Sequence, residues 1–185
     1  MTSTQKTPVA PSLLQETEAR EAEHPRRVCF VCTGNTCRSP MAEAVANFLA
    51  QAELNALPEG IRDLARPRLE AFSAGLYPTD GEPISTNAVL ALEEAGIDPV
   101  PQHDYHLHRA RGLTEEEAEG FDLLVGLTRG HAMELILRFP ALAKRITVMP
   151  IEISDPFGGS LERYRECLAQ IRQGVSILCN REDAP

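Results

Sequence analysis

At 185 residues with 43% hydrophobic content, the chain can bury one substantial core and not comfortably two, so a single domain is expected. Its 18 basic against 27 acidic residues leave a net charge of −9, which repels a phosphate backbone and weighs against a nucleic-acid partner, so any anion site must be local. No run reaches the roughly 18 to 20 apolar residues of a membrane span, and the opening segment lacks the apolar centre of a secretory signal, so a cytoplasmic protein without membrane contact is expected.

Residues 1–25, "MTSTQKTPVAPSLLQETEAREAEHP", are polar and of mixed charge with one short apolar patch at Leu13 and Leu14. They read as a flexible N-terminal tail, transiently helical at most from Gln15 to Glu23, with one domain over 26–185. The domain alternates short β-branched runs with amphipathic stretches: a strand in "RVCFV", a helix from Pro40 to about Leu54, a strand in "RLEAFSAG" and a helix across "STNAVLALEEAG". A short helix at "TEEEAEG", a buried strand "FDLLVGLT", a helix "RGHAMELILRF", a strand "RITVMP" and a last helix from Leu161 to about Cys179 follow. Four strands separated by helices predict an α/β fold, a three-layer sandwich around a four-stranded parallel sheet. Pro40 suits a first helical position, Thr114 with Glu117 forms a capping box, Ser160 can cap the last helix, and Gly96 suits a helix stop. In the last helix Leu161, Tyr164, Leu168, Ile171, Val175 and Leu178 fall on one stripe, which makes Tyr164 a core residue rather than a catalytic one.

In an open parallel sheet, ligands bind where a strand ends and its loop turns into a helix. The first such junction is "CTGNTCRS", residues 32–39, a phosphate-binding loop after the first strand. Thr33, Gly34, Asn35 and Thr36 let the backbone curl with its N–H groups inward, and the following helix adds its positive end. No lysine follows as in a nucleotide-binding loop; Arg38 instead offers a planar fork that matches two phosphoryl oxygens. Cys32 opens the loop, and the donors that bind phosphate also favour its thiolate, a nucleophile in position. Expelling a leaving group needs a proton, and the loop holds no histidine. The five cysteines are an odd number in a chain of this size, so reduced thiols are expected.

This cysteine, five residues, arginine and serine pattern resembles that of the low-molecular-weight protein phosphatase family. The resemblance extends through "CTGNTCRSPMAEA", "FSAG", "HRARGLT", "FDLLVGLT" and "DPFGGS", and is greatest to the bacterial protein-arginine phosphatases, which share Thr36 and "DPFGGS". It implies Cys32 as nucleophile, Arg38 as phosphoryl clamp and Asp155 as general acid, with Asn35 bracing the loop and Ser39 donating to the Cys32 sulfur. Ser73 and His108 match positions that support Asn35. Asp155 follows the fourth strand in "MPIEISDPFGG", where a movable carboxyl fits the missing proton donor; the alternative is an aspartate that opens an Asx turn. Substrate contacts are expected from Thr33, Gly34, Asn35, Thr36, Cys37, Ser39 and Phe157, the last as an apolar wall.

Cys37 has two readings, a partner for a reversible disulfide with Cys32 or a small buried loop residue. Cys29, Cys167 and Cys179 read as strand, helix or core thiols. A zinc site from Cys29, Cys32 and Cys37 with His103, His106 and His108 is disfavoured, because one cysteine cluster is followed directly by Arg38, and neither metal nor other cofactor is expected. The small, hydroxyl-bearing Thr36 leaves room for a guanidinium, and Asp155 can bond its N–H groups in a fork, so phosphoarginine on protein substrates is favoured over phosphotyrosine. Arsenate reductases on the same scaffold use a further cysteine pair that residues 38–166 lack, and a non-catalytic phosphoresidue-binding module would not need Cys32, Arg38 and Asp155 together.

Overall fold

In the computed structural model, which describes residues 24–62 and 64–182, four short strands align in parallel. They are β1 (Arg26–Cys32), β2 (Leu69–Gly75), β3 (Leu123–Gly126) and β4 (Ile146–Val148), in the spatial order β2-β1-β3-β4. The expected tail lies almost wholly outside the described residues. β1 pairs with β2 along its whole length, from Arg26 opposite Leu69 to Cys32 opposite Gly75, and with β3 from Val28 opposite Leu123 to Val31 opposite Gly126. A strand flanked on both edges and both faces must be apolar throughout, which is why "VCFVC" does not alternate with polar residues. Val28, Phe30 and Cys32 enter one core, while Cys29 and Val31 enter the other.

The described residues form six α-helices, α1 (Arg38–Asn55), α2 (Glu59–Arg62), α3 (Thr86–Glu94), α4 (Glu115–Glu119), α5 (Arg129–Arg138) and α6 (Leu161–Glu182), and of these the four-residue α2 buries no side chain. Met41 and Val45 of α1, Leu92 of α3, and Tyr164, Leu168, Ile171 and Val175 of α6 pack on the Phe30 face. Ala118 of α4, Leu135 of α5 and Leu142 of a 3-10 turn over Pro140–Arg145 pack on the Cys29 face. The result is the expected three-layer α/β sandwich, with its cores on opposite sides of β1.

Two helix signals act as anticipated. Thr114 accepts the Glu117 N–H at 3.2 Å and Glu117 accepts the Thr114 N–H at 3.0 Å. Gly96, at φ +66°, ends α3 in a Schellman motif, with Ile97 N–H bonded to Leu92 O and Gly96 N–H to Glu93 O, both at 3.0 Å. The start of α1 differs: it lies at Arg38, two residues before Pro40, and Met41 N–H bonds to Cys37 O at 3.2 Å. Pro40 therefore sits third in the first turn, where its missing N–H would have had no helical partner in any case. β3 and β4 are shorter than "FDLLVGLT" and "RITVMP", and α2, the Pro140–Arg145 turn and a 3-10 turn at Tyr105–Leu107 were not anticipated. Starting from β1, the chain goes first to β2 on one side and later to β3 on the other. The loop after β1 therefore lies where the strand order reverses, the place where such sheets bind ligands.

Candidate active site

Cys32 ends β1 and begins a loop stitched down at both ends. Its carbonyl accepts Leu76 N–H, the Thr33 carbonyl accepts Tyr77 N–H, both at 2.9 Å, and the Thr36 carbonyl accepts Ser85 N–H at 2.8 Å. A Cβ on Gly75 would lie 3.0 Å from the Thr33 carbonyl oxygen and 3.2 Å from Asn35 Cβ, so glycine is what lets the end of β2 pass this closely. At the centre, Asn35 adopts φ +57°, the sole positive φ at a non-glycine among the described residues. That backbone costs on the order of 1 kcal/mol or more, offset by a full set of hydrogen bonds. Asn35 Nδ2 donates to Ser39 Oγ at 3.0 Å and Ser73 Oγ at 2.9 Å, and its Oδ1 accepts Arg111 N–H at 3.0 Å. His108 Nε2 lies 2.7 Å from the Asn35 carbonyl. Ser73 and His108 thus stand around Asn35, as the resemblance implies.

The Cys32 thiol is 3% exposed, with Sγ 3.3 Å from the Asn35 N–H nitrogen and 3.0 Å from Ser39 Oγ. Arg38, also buried, reaches out of the first turn of α1 and donates from one guanidinium nitrogen to Asp155 Oδ2 at 2.7 Å. The other Asp155 oxygen accepts Phe157 N–H at 3.2 Å, so the Asx turn and the approach to Arg38 coexist in one side chain. Asp155 belongs to the loop between β4 and α6, and its side chain is half exposed. Phe157 is 76% exposed at the rim, Thr33 is exposed, and Gly34 and Thr36 are half-buried. The N-terminus of α1 carries no acidic side chain in its first turn, which leaves its positive end to the loop.

Cys37 points away from solvent, with Sγ 3.2 Å from Tyr164 OH; Ser85 donates to that hydroxyl at 2.9 Å. Burial, with the Cys37 contact second, pushes the Tyr164 phenol up to about 12. Tyr164 is therefore a core residue, as its spacing predicts, and at the same time the partner of a loop thiol. Burial also pushes the Cys29 thiol far up and the Cys167 thiol up to about 12. The three histidines weighed as ligands go to three separate places: His103 between Glu43 and Glu70, His106 against Asp104 and Glu93, and His108 on the Asn35 carbonyl.

Two groups near the loop were not legible beforehand. Glu43 in α1 accepts the Ser73 hydroxyl at 2.6 Å and holds His103 at 3.4 Å, extending the Asn35 network outward. His131, the third residue of α5, lies 3.0 Å by Nε2 from Thr33 Oγ1. Burial, then the Arg38 guanidinium, hold His131 down to about 4 against the opposing pull of Asp155. Neither carries a sequence signal, because a histidine in a helix and a glutamate after proline are unremarkable until the fold brings them to residues far away in the chain.

The profile of the family described as low molecular weight phosphotyrosine protein phosphatase matches residues 27–183. A protein-arginine-phosphatase of Geobacillus stearothermophilus is 34% identical over 164 residues, covering 85% of this chain and 96% of that protein. A low molecular weight protein-tyrosine-phosphatase of Streptomyces coelicolor is 34% identical over 160 residues, covering 78% and 86%. Among solved structures, a YwlE arginine phosphatase mutant with a phosphorylated active-site serine is similar at TM-score 0.69 and 28% identity, over 84% of this chain and 94% of that one. With the family profile matched over residues 27–183, the chain belongs to the low molecular weight phosphotyrosine protein phosphatase family.

Proposed function

We propose that the chain removes the phosphoryl group from phosphorylated protein side chains, phosphoarginine before phosphotyrosine, through a phosphocysteine on Cys32. The observation that carries this reading is the convergence on one loop of a buried thiol, the Asn35 N–H directed at it, the Arg38 guanidinium and the Asp155 carboxyl. In the first step the Cys32 sulfur forms a bond to phosphorus in line with the leaving atom, the phosphorus–nitrogen or phosphorus–oxygen bond breaks, and Asp155 protonates the departing atom. Arg38 exchanges Asp155 for two equatorial phosphoryl oxygens, and the loop N–H groups bind the remaining charge. In the second step water attacks phosphorus, its proton passes to Asp155, the sulfur–phosphorus bond breaks, and phosphate leaves. Such chemistry needs a reduced thiol, in keeping with a cytoplasmic protein; Cys32 and Cys37 are not joined in a disulfide, and no helix among the described residues is long and apolar enough to cross a membrane.

Thr36 favours the guanidinium substrate. It is half-buried beside the loop, and its hydroxyl lies 3.6 Å from Cys37 Sγ, so the side chain leaves a short, polar wall rather than an aliphatic one. Exposed Phe157 supplies an apolar face over the substrate, and Thr33, Gly34, Asn35, Cys37 and Ser39 shape the cradle beneath it. The phosphotyrosine reading has its own support in the Streptomyces relative, which is as similar in identity as the arginine-specific one. Phosphoarginine and phosphotyrosine peptides compared on the wild type and Thr36→Ile decide between them. The wild type is expected to prefer phosphoarginine and Thr36→Ile to lose that preference; a wide phosphotyrosine margin on the wild type removes the arginine reading. Cys32→Ser should abolish turnover while still binding oxyanions, and turnover near wild type would reject the covalent route.

A further inference from the structure

Thr33 follows Cys32 directly and stands exposed at the mouth of the loop, while its hydroxyl oxygen lies 3.0 Å from His131 Nε2. The ring is 7% exposed. Its other nitrogen, Nδ1, lies 3.0 Å from Oγ1 of Thr128, the N-cap of α5, and that oxygen already accepts the His131 backbone N–H at 3.3 Å. That N–H occupies one lone pair of Thr128 Oγ1 and leaves the hydroxyl hydrogen free to point at Nδ1. A neutral imidazole has one donor and one acceptor nitrogen, so when Nδ1 accepts from Thr128, Nε2 carries the ring hydrogen and donates it to Thr33. In that tautomer the Thr33 hydroxyl serves as acceptor on the His131 side and keeps its own hydrogen for a partner in the mouth.

We propose that His131 holds its Nε2–H tautomer between Thr128 and Thr33 and is a positioning residue, which orients the Thr33 hydroxyl so that its hydrogen meets a phosphoryl oxygen of the substrate held in the Cys32 loop. This rests on the phosphatase reading above. His131 has no direct part in proton transfer, because both ring nitrogens are engaged by threonines. Burial and the Arg38 guanidinium keep the ring uncharged at neutral pH, as the arrangement requires: a second ring proton would displace the Thr128 hydroxyl from Nδ1.

The test compares turnover of p-nitrophenyl phosphate by the full wild-type chain, His131→Phe, Thr33→Val, the double variant and His131→Gln. Each of the first two single changes is expected to lower kcat about tenfold, the effect of one lost hydrogen bond. The double variant should fall no further, because the ring acts only through Thr33. His131→Gln, whose amide still donates towards Thr33, should recover most of the rate. Losses that multiply in the double variant, a His131→Phe rate equal to wild type, or no recovery by glutamine overturns the proposal. Ring nitrogen chemical shifts of the 15N-histidine-labelled wild type give a second readout that needs no variant to fold: the Nε2–H tautomer is expected at pH 7, and Nδ1–H or a doubly protonated ring overturns it. A wild type with no turnover removes the phosphatase reading and this proposal together. Normal wild-type turnover beside a silent His131→Phe removes the proposal alone.

Discussion

Asp155 divides its carboxylate between two tasks, one oxygen holding the Phe157 N–H and the other the Arg38 guanidinium. Asparagine at this position keeps the first bond and turns the second into two donors facing each other. Asp155→Asn is therefore expected to leave the fold intact, to slow turnover by roughly 10² to 10⁴ through loss of the acid and base, and to bind inorganic phosphate no more weakly than wild type, since Arg38 then has no carboxylate competitor. Steady-state kinetics with phosphate inhibition measures both, and an unchanged rate takes Asp155 out of the mechanism. Side-chain placement was legible where chemistry dictates a fixed local spacing. Cys32 and Arg38 share one loop and can be paired by counting, whereas Tyr164 shows only its core stripe, and nothing in that stripe reveals that its hydroxyl meets Cys37.

Strand and helix meet tightly where β3 ends beside α5. A Cβ on Gly126 would lie 2.4 Å from the Ala132 backbone nitrogen and 2.8 Å from its Cα, and neither backbone atom can step aside as a flexible side chain would. Gly126→Ala is expected to destabilise the fold by about 1 to 3 kcal/mol, as overpacking does, seen as a lower denaturant midpoint with an unchanged slope. A midpoint equal to wild type would mean that α5 can shift outward freely. The same contact shows why "FDLLVGLT" announced a strand so clearly while its end did not: the apolar run continues through Leu127, but pairing stops at Gly126, where the chain swings up to the N-cap Thr128. The start of α1 at Arg38 rather than Pro40 has a related reason. Proline marks a favoured helical position, yet the turn around Cys37 already closes a helical bond, and that bond depends on how the loop is pinned to distant segments. Four-residue α2 and the two 3-10 turns are too short for any periodicity to show.

Charge placement across the whole domain sets how stability responds to pH. His103 lies between Glu43 of α1 and Glu70 of β2, and its hydrogen bond to Glu43, opposed by burial and aided by Glu70, raises its pKa above 6.5. A raised histidine contributes stability that is fully present below the unfolded value and is lost as pH climbs through the folded one. His131 has the opposite sign: depressed to about 4, it costs stability as pH falls from 6.5 towards that value, because the unfolded chain takes up the proton first. Unfolding free energy is thus expected to decline as pH rises above about 6.5, and His103→Gln to flatten that decline; an equally steep fall in the variant would discharge His103 from the effect. Most of the architecture was legible because apolar runs and their spacing report burial locally, and most of the loop was legible because it is contiguous. The supports were not: Asn35 is held by Ser73, His108 and Arg111, which follow it by 38, 73 and 76 residues. That spread has a consequence for synthesis. A chain leaving the ribosome has its thiol early, but the cradle's left-handed turn gains its last brace only once Arg111 has emerged, and its carboxylate comes still later. The newborn N-terminal third holds a cysteine without its cradle, so competence is expected to arrive with completion of the domain rather than with the residue proposed as nucleophile.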